Sequence, residues 1–107
     1  MNVEDIICQA LIEQQGLEPG EALPIVDRVM SADADIRSSA ECWARSGVFP
    51  DAPVIEGYSP LTLGQELRPS QVFTLLIELR SNPQGALHWL RRRRALSSAR
   101  LIDDQHA

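Results

Sequence analysis

Apolar positions recur at helical spacing over most of this chain. Val3, Ile7, Ala10 and Leu11 share one face, and Asp5, Gln9 and Glu13 fall opposite them at i, i+4, i+8, so the first stretch reads as an amphipathic surface helix. Asn2 stands where an N-cap belongs and Gly16 where a helix stops, which bounds the element at residues 3–15. Leu17-Glu18-Pro19-Gly20 is a turn by composition. Residues 21–30 keep the helical period, and because proline is tolerated only in a first turn, Pro24 sets the start of the regular part near Leu23. Ser31 or Asp33 can cap a third helix that ends at Ser46 before Gly47. Ile36, Ala40 and Trp43 point its apolar stripe inward, and Arg37, Glu41 and Arg45 form a charge ladder outside.

From Val48 to Tyr58 the period disappears. Pro50, Pro53 and Gly57 punctuate this long connection, in which Val54 and Ile55 read as a short extended segment. Ser59 followed by Pro60 is a cap-then-proline start for a short helix to about Leu67, and Arg68-Pro69-Ser70 breaks it. Residues 71–80 form the most apolar helix. Val72, Phe73, Leu75, Leu76, Ile77 and Leu79 cover more than half its circumference and leave Gln71, Thr74 and Glu78 as the only polar stripe, the pattern of a central helix packed on at least two sides.

Asn82-Pro83 repeats the capped start, and Ala86, Leu87, Trp89 and Leu90 form the inner face of the last helix. Arg91, Arg92, Arg93 and Arg94 follow. Arg93 falls among the apolar positions, so either the helix leaves the body there or this arginine meets a buried carboxylate. Residues 97–107 read as a frayed tail. The expectation is an all-α, compact bundle of about five helices in one domain, residues 1–96, with one long irregular connection at 48–58 and a helix-turn-helix-like pair at 59–80.

Composition narrows the chemistry. With 107 residues, 44% hydrophobic and 23% charged, the chain fits one globular core. All ten basic residues are arginine, a usage expected of G+C-rich, bacterial coding, so Schiff-base catalysis, a lysine general base and a P-loop lysine are excluded. The net charge of −5 disfavours nucleic acid and anionic membranes except at a local basic patch. No apolar run approaches the roughly 20 residues of a membrane span, and the N-terminus is acidic where a signal peptide is basic, so a cytoplasmic protein is expected.

Cys8 and Cys42 each fall in a helical stretch without CxxC spacing or a nearby histidine, and read as buried free thiols. His88 and His106 lie far apart in sequence, too few converging ligands for zinc. Asp33 and Asp35 begin like a calcium loop, but Ser38 and Ala44 occupy the positions needing glycine and glutamate, which leaves the two aspartates as capping and first-turn carboxylates. There is no GxSxG elbow and no glycine cluster, and His88 reads as solvent-facing. No enzyme activity, cofactor or metal is expected.

The helix, break and helix from Ser59 to Arg80 have the order of a helix-turn-helix, yet the polar stripe of the second helix includes Glu78, the wrong sign for phosphate. Pro53-Val54-Ile55-Glu56-Gly57 is similar to the opening of a family of small antitoxin-like domains, and that resemblance implies a short strand paired with such a helical unit. The family places a basic residue soon after the glycine, where this chain has Tyr58-Ser59-Pro60, so its DNA-binding role does not carry across.

The expected function is therefore non-catalytic binding of a macromolecule, as an adaptor or regulatory domain. A protein partner, acidic if it meets the arginines, is favoured over nucleic acid, no membrane is involved, and homo-oligomers are within scope. The alternative is a helix-turn-helix regulator or antitoxin-like protein. The candidate partner-binding residues are Phe49 and Tyr58, which flank the proline-rich connection, and Arg91, Arg92, Arg93 and Arg94.

Overall fold

The computed structural model describes the backbone of residues 2–55 and 57–106 and the side chains of these as far as Leu96. It is all-α, with α1 (Val3–Ala10) continued by a π-helical turn (Leu11–Gln15), then α2 (Pro19–Met30), α3 (Ala34–Ser46), α4 (Pro60–Gly64), α5 (Pro69–Ser81) and α6 (Pro83–His106). The chain divides into two compact units, residues 1–77 and 78–107, the division falling within α5.

In the first unit α1 packs against both α2 and α3, which also touch each other. Asn2 caps α1, its Oδ1 accepting the Asp5 N–H at 2.9 Å. Ile7, Ala10 and Leu11 are buried while Asp5, Gln9 and Glu13 are exposed, as the spacing predicts. The helix widens into the π turn and stops at Gly16, whose φ of 76° is one that only glycine adopts without strain. Gly47 ends α3 in the same way, with φ 78° and its N–H donating to the Trp43 carbonyl at 2.7 Å.

Two helix starts lie earlier than the sequence pattern places them. Glu18 is extended and closes a capping box with Glu21, whose Oε1 accepts the Glu18 N–H at 3.4 Å, so Pro19 becomes the first residue of α2 and Leu17–Gly20 is not simply a turn. Pro24 consequently sits inside the helix. It is tolerated because Pro24 and Gly20 are both exposed, where water can serve the carbonyl that proline leaves without a donor. Likewise α5 begins at Pro69, with Gln71 Oε1 accepting the Arg68 N–H at 3.1 Å.

A contact 55 residues long in sequence fixes the entry to α5. Gln15, at the end of the π turn, accepts the Ser70 N–H at 2.9 Å through Oε1 and donates Nε2 to Ser70 Oγ at 2.7 Å. One orphan donor of the α5 N-terminus is thus satisfied by a side chain from the first helical element. From Pro69 to Leu79 no residue of α5 is exposed, and Val72, Phe73 and Leu76 are fully buried, so this helix has the central position its composition predicts. Even the stripe of Gln71, Thr74 and Glu78 is half-buried.

The second unit contains the end of α5 and α6. Asn82 caps α6, its Oδ1 accepting the Gly85 N–H at 3.3 Å. Ala86 and Leu90 are buried and Leu87 is half-buried. The helix α6 runs to His106.

Candidate functional site

The connection 48–58 is held more tightly than its composition suggests. Ser59 Oγ, buried, accepts the Thr62 N–H and donates to Asp51 Oδ1, each at 3.2 Å, and the Pro50 carbonyl accepts the Leu61 N–H at 3.2 Å. Val54 is buried. The Tyr58 N–H donates to the Ile55 carbonyl at 2.8 Å, and these residues form an isolated antiparallel bridge, which is all the extended pairing found among the described residues. The short strand implied by the resemblance to antitoxin-like domains reduces to this turn.

Phe49 and Tyr58 are both half-buried. The Phe49 ring stacks on Trp43, centroids 5.7 Å apart and planes 11° from parallel, and meets Phe73 edge-on at 5.8 Å. Trp43 and Phe73 complete the triangle at 5.4 Å. Gly64 leaves the space that the ring occupies, since a Cβ there would lie 2.7 Å from Phe49 Cδ2. Phe49 is thus engaged in a cluster that ties the connection to α3, α4 and α5 and is not the freely exposed side chain its loop position suggests.

The four arginines stand on α6. Arg91, Arg92 and Arg94 are exposed and Arg93 is half-buried. Four consecutive helical positions turn through roughly 300°, so the positive charge surrounds the helix instead of marking one side. The Arg93 guanidinium lies 5.8 Å from the centre of the Trp89 ring, over its face, a cation–π arrangement between residues one turn apart.

Trp89 is the principal correction to the expected core. It is 41% exposed, on the flank of α6 and not with Ala86 and Leu90 inside. Leu96, two turns on and 59% exposed, lies on the same flank. Trp89, Arg92, Arg93 and Leu96, at i, i+3, i+4 and i+7, form one ridge with an apolar side chain at each end and two arginines between them. The i, i+4 spacing of Trp89 and Arg93 is the signal that would have drawn attention to this ridge. His88 is exposed, as expected, on another side.

Phe49 and Tyr58 belong to the first unit and the arginines to the second. The cysteines are less buried than expected: Cys8 is half-buried and Cys42 exposed, both as free thiols. Among the described residues no group of three or more His, Cys, Asp or Glu side chains is placed to hold a metal ion. Nor is any helix there long and apolar enough to cross a membrane. Compared with known proteins, the chain matches no family model, no curated protein and no solved structure.

Proposed function

We propose that this chain is a non-catalytic protein-binding domain, working in the cytoplasm, whose contact surface is the Trp89–Leu96 flank of α6 and whose partner is an acidic protein. The observation that carries the reading is the exposure of Trp89 with an arginine stacked on it and a second large apolar side chain two turns away. Tryptophan and arginine dominate the energetics of protein interfaces. A tryptophan left in water on a helix that buries Ala86 and Leu90 elsewhere is an anchor in search of a pocket. Arg92 and Arg93 beside it favour a carboxylate-rich rim on the partner, which raises the association rate more than the affinity. The order of α4 and α5 favours the DNA-reading alternative, but α5 has no exposed residue between Pro69 and Leu79 with which to enter a groove, and this weighs against it.

The test is site-specific photo-crosslinking in the native host, with a photoreactive phenylalanine at position 89 and, as control, at the exposed position 9 on α1. Capture of one acidic protein from position 89 alone is expected. Equal products from both positions, none from either, or nucleic acid from position 89 would overturn the reading. With the captured protein purified, Trp89→Ala should weaken binding by at least about 1 to 2 kcal/mol, and glutamine at all four positions 91–94 should mainly slow association.

A further inference from the structure

We propose that a second copy of this chain occupies the α6 flank, two copies reciprocally exchanging their basic flanks for each other's acidic first units. The proposal rests on the reading of that flank as a docking surface and names one occupant for it.

Charge is divided along the chain as sharply as the fold is. Residues 1–77 hold twelve Asp and Glu against four Arg, a formal −8, whereas residues 78–107 hold three against six, a formal +3. Between Leu79 and Ile102 there are six arginines and no carboxylate side chain. Exposed apolar groups are divided in the same way. Of the four large exposed hydrophobic residues among those described, Trp89 and Leu96 are on α6, and Leu23 and Val48 are in the acidic unit.

Leu23 has the better surroundings for a contact. It is 54% exposed on α2, a helix whose exposed Glu18 and Glu21 stand at its start and whose exposed Asp27 follows Leu23 by one turn on the same side. An apolar knob with the Asp27 carboxylate beside it, on a unit of net negative charge, complements an apolar ridge with guanidinium groups beside it. Pairing like with like fails on both sides, because two α6 flanks would bring arginine rows together and two α2 faces would do the same with carboxylates. Reciprocal exchange avoids both conflicts. It also closes with twofold symmetry and forms the same contact twice, whereas one-way docking would leave a basic flank and an acidic face open at the ends.

Sedimentation velocity of the purified chain tests this at about 0.02 M and about 0.5 M salt, since a contact between exposed charges weakens as screening grows. The expected species at low salt approaches twice the 11.9 kDa chain mass and dissociates at high salt. Trp89→Ala and Leu23→Ala should each weaken association about tenfold or more, with thermal melts confirming an intact fold. Arg92→Glu and Asp27→Arg should each be monomeric alone, and mixing these two variants should restore a dimer, because each then meets an opposite charge at both contacts.

A parent chain that stays monomeric at low salt overturns the proposal, and so does a dimer that these variants leave unchanged or a mixture that does not restore pairing. A monomer that still captures an acidic protein at position 89 overturns self-association alone. A dimer with the expected variant pattern supports it whatever that capture yields.

Discussion

Replacing Gly64 by alanine puts a methyl carbon 2.7 Å from Phe49 Cδ2 and 2.9 Å from Cε2, well inside the roughly 3.5 to 4.0 Å at which carbon atoms rest. The ring has little room to withdraw. It is stacked on Trp43 and meets Phe73 with their planes 66° apart, and both partners are almost wholly buried. Overpacking of this kind costs about 1 to 3 kcal/mol, while alanine over glycine in a helix contributes about 0.5 to 1 kcal/mol the other way, toward the low end at the last residue of a five-residue helix. The clash wins, and the net loss is about 0.5 to 2.5 kcal/mol, which lowers Tm by several degrees in a chain of this size.

The sign should reverse once the ring is gone. In a Phe49→Ala background the new methyl enters the space the ring has left, and Gly64→Ala becomes neutral or stabilising by a few tenths of a kcal/mol. Urea denaturation and circular dichroism melts of the four proteins give the coupling energy directly, expected at about 1 to 3 kcal/mol. If Gly64→Ala costs the same in both backgrounds, with coupling under about 0.5 kcal/mol, the ring does not pack against α4 and the anchoring of the connection by Phe49 is wrong.

Leu76→Asp should abolish cooperative unfolding, because it puts a charge where the side chain is fully buried, whereas Thr74→Ala on the half-buried stripe should leave a cooperative melt. Gln15→Ala removes both hydrogen bonds to Ser70 and should cost about 1 to 2 kcal/mol by urea midpoint, so a loss no larger than an exposed control such as Gln14→Ala would mean that Gln15 does not cap α5. Random duplex DNA should bind at physiological salt more weakly than the roughly 10⁻⁴ to 10⁻⁶ M of non-specific DNA binders, given fifteen acidic residues against ten arginines, and tight, sequence-selective mobility shifts would refute this.

The features legible in the sequence are those that neighbours along the chain decide. Asn2, Gly16, Gly47, Ser59-Pro60 and Asn82-Pro83 act within one helical turn, so their residue types alone place most helix ends. The breadth of the apolar arc at Val72, Phe73, Leu75, Leu76 and Leu79 likewise announces burial from every side. Tertiary structure alone decides the rest, because the competing local options are nearly equal in energy or the partners lie far apart. Gln15 and Ser70, or Phe49, Gly64 and Phe73, meet only after α1, α3, α4 and α5 are assembled, and no spacing encodes that approach. Trp89 is the sharpest case: its position on the helical wheel borders both the buried row of Ala86 and Leu90 and the arginines. Hydrophobicity by itself favours burial, but which side of α6 is covered is set by packing, and that packing leaves Trp89 beneath Arg93 at the surface.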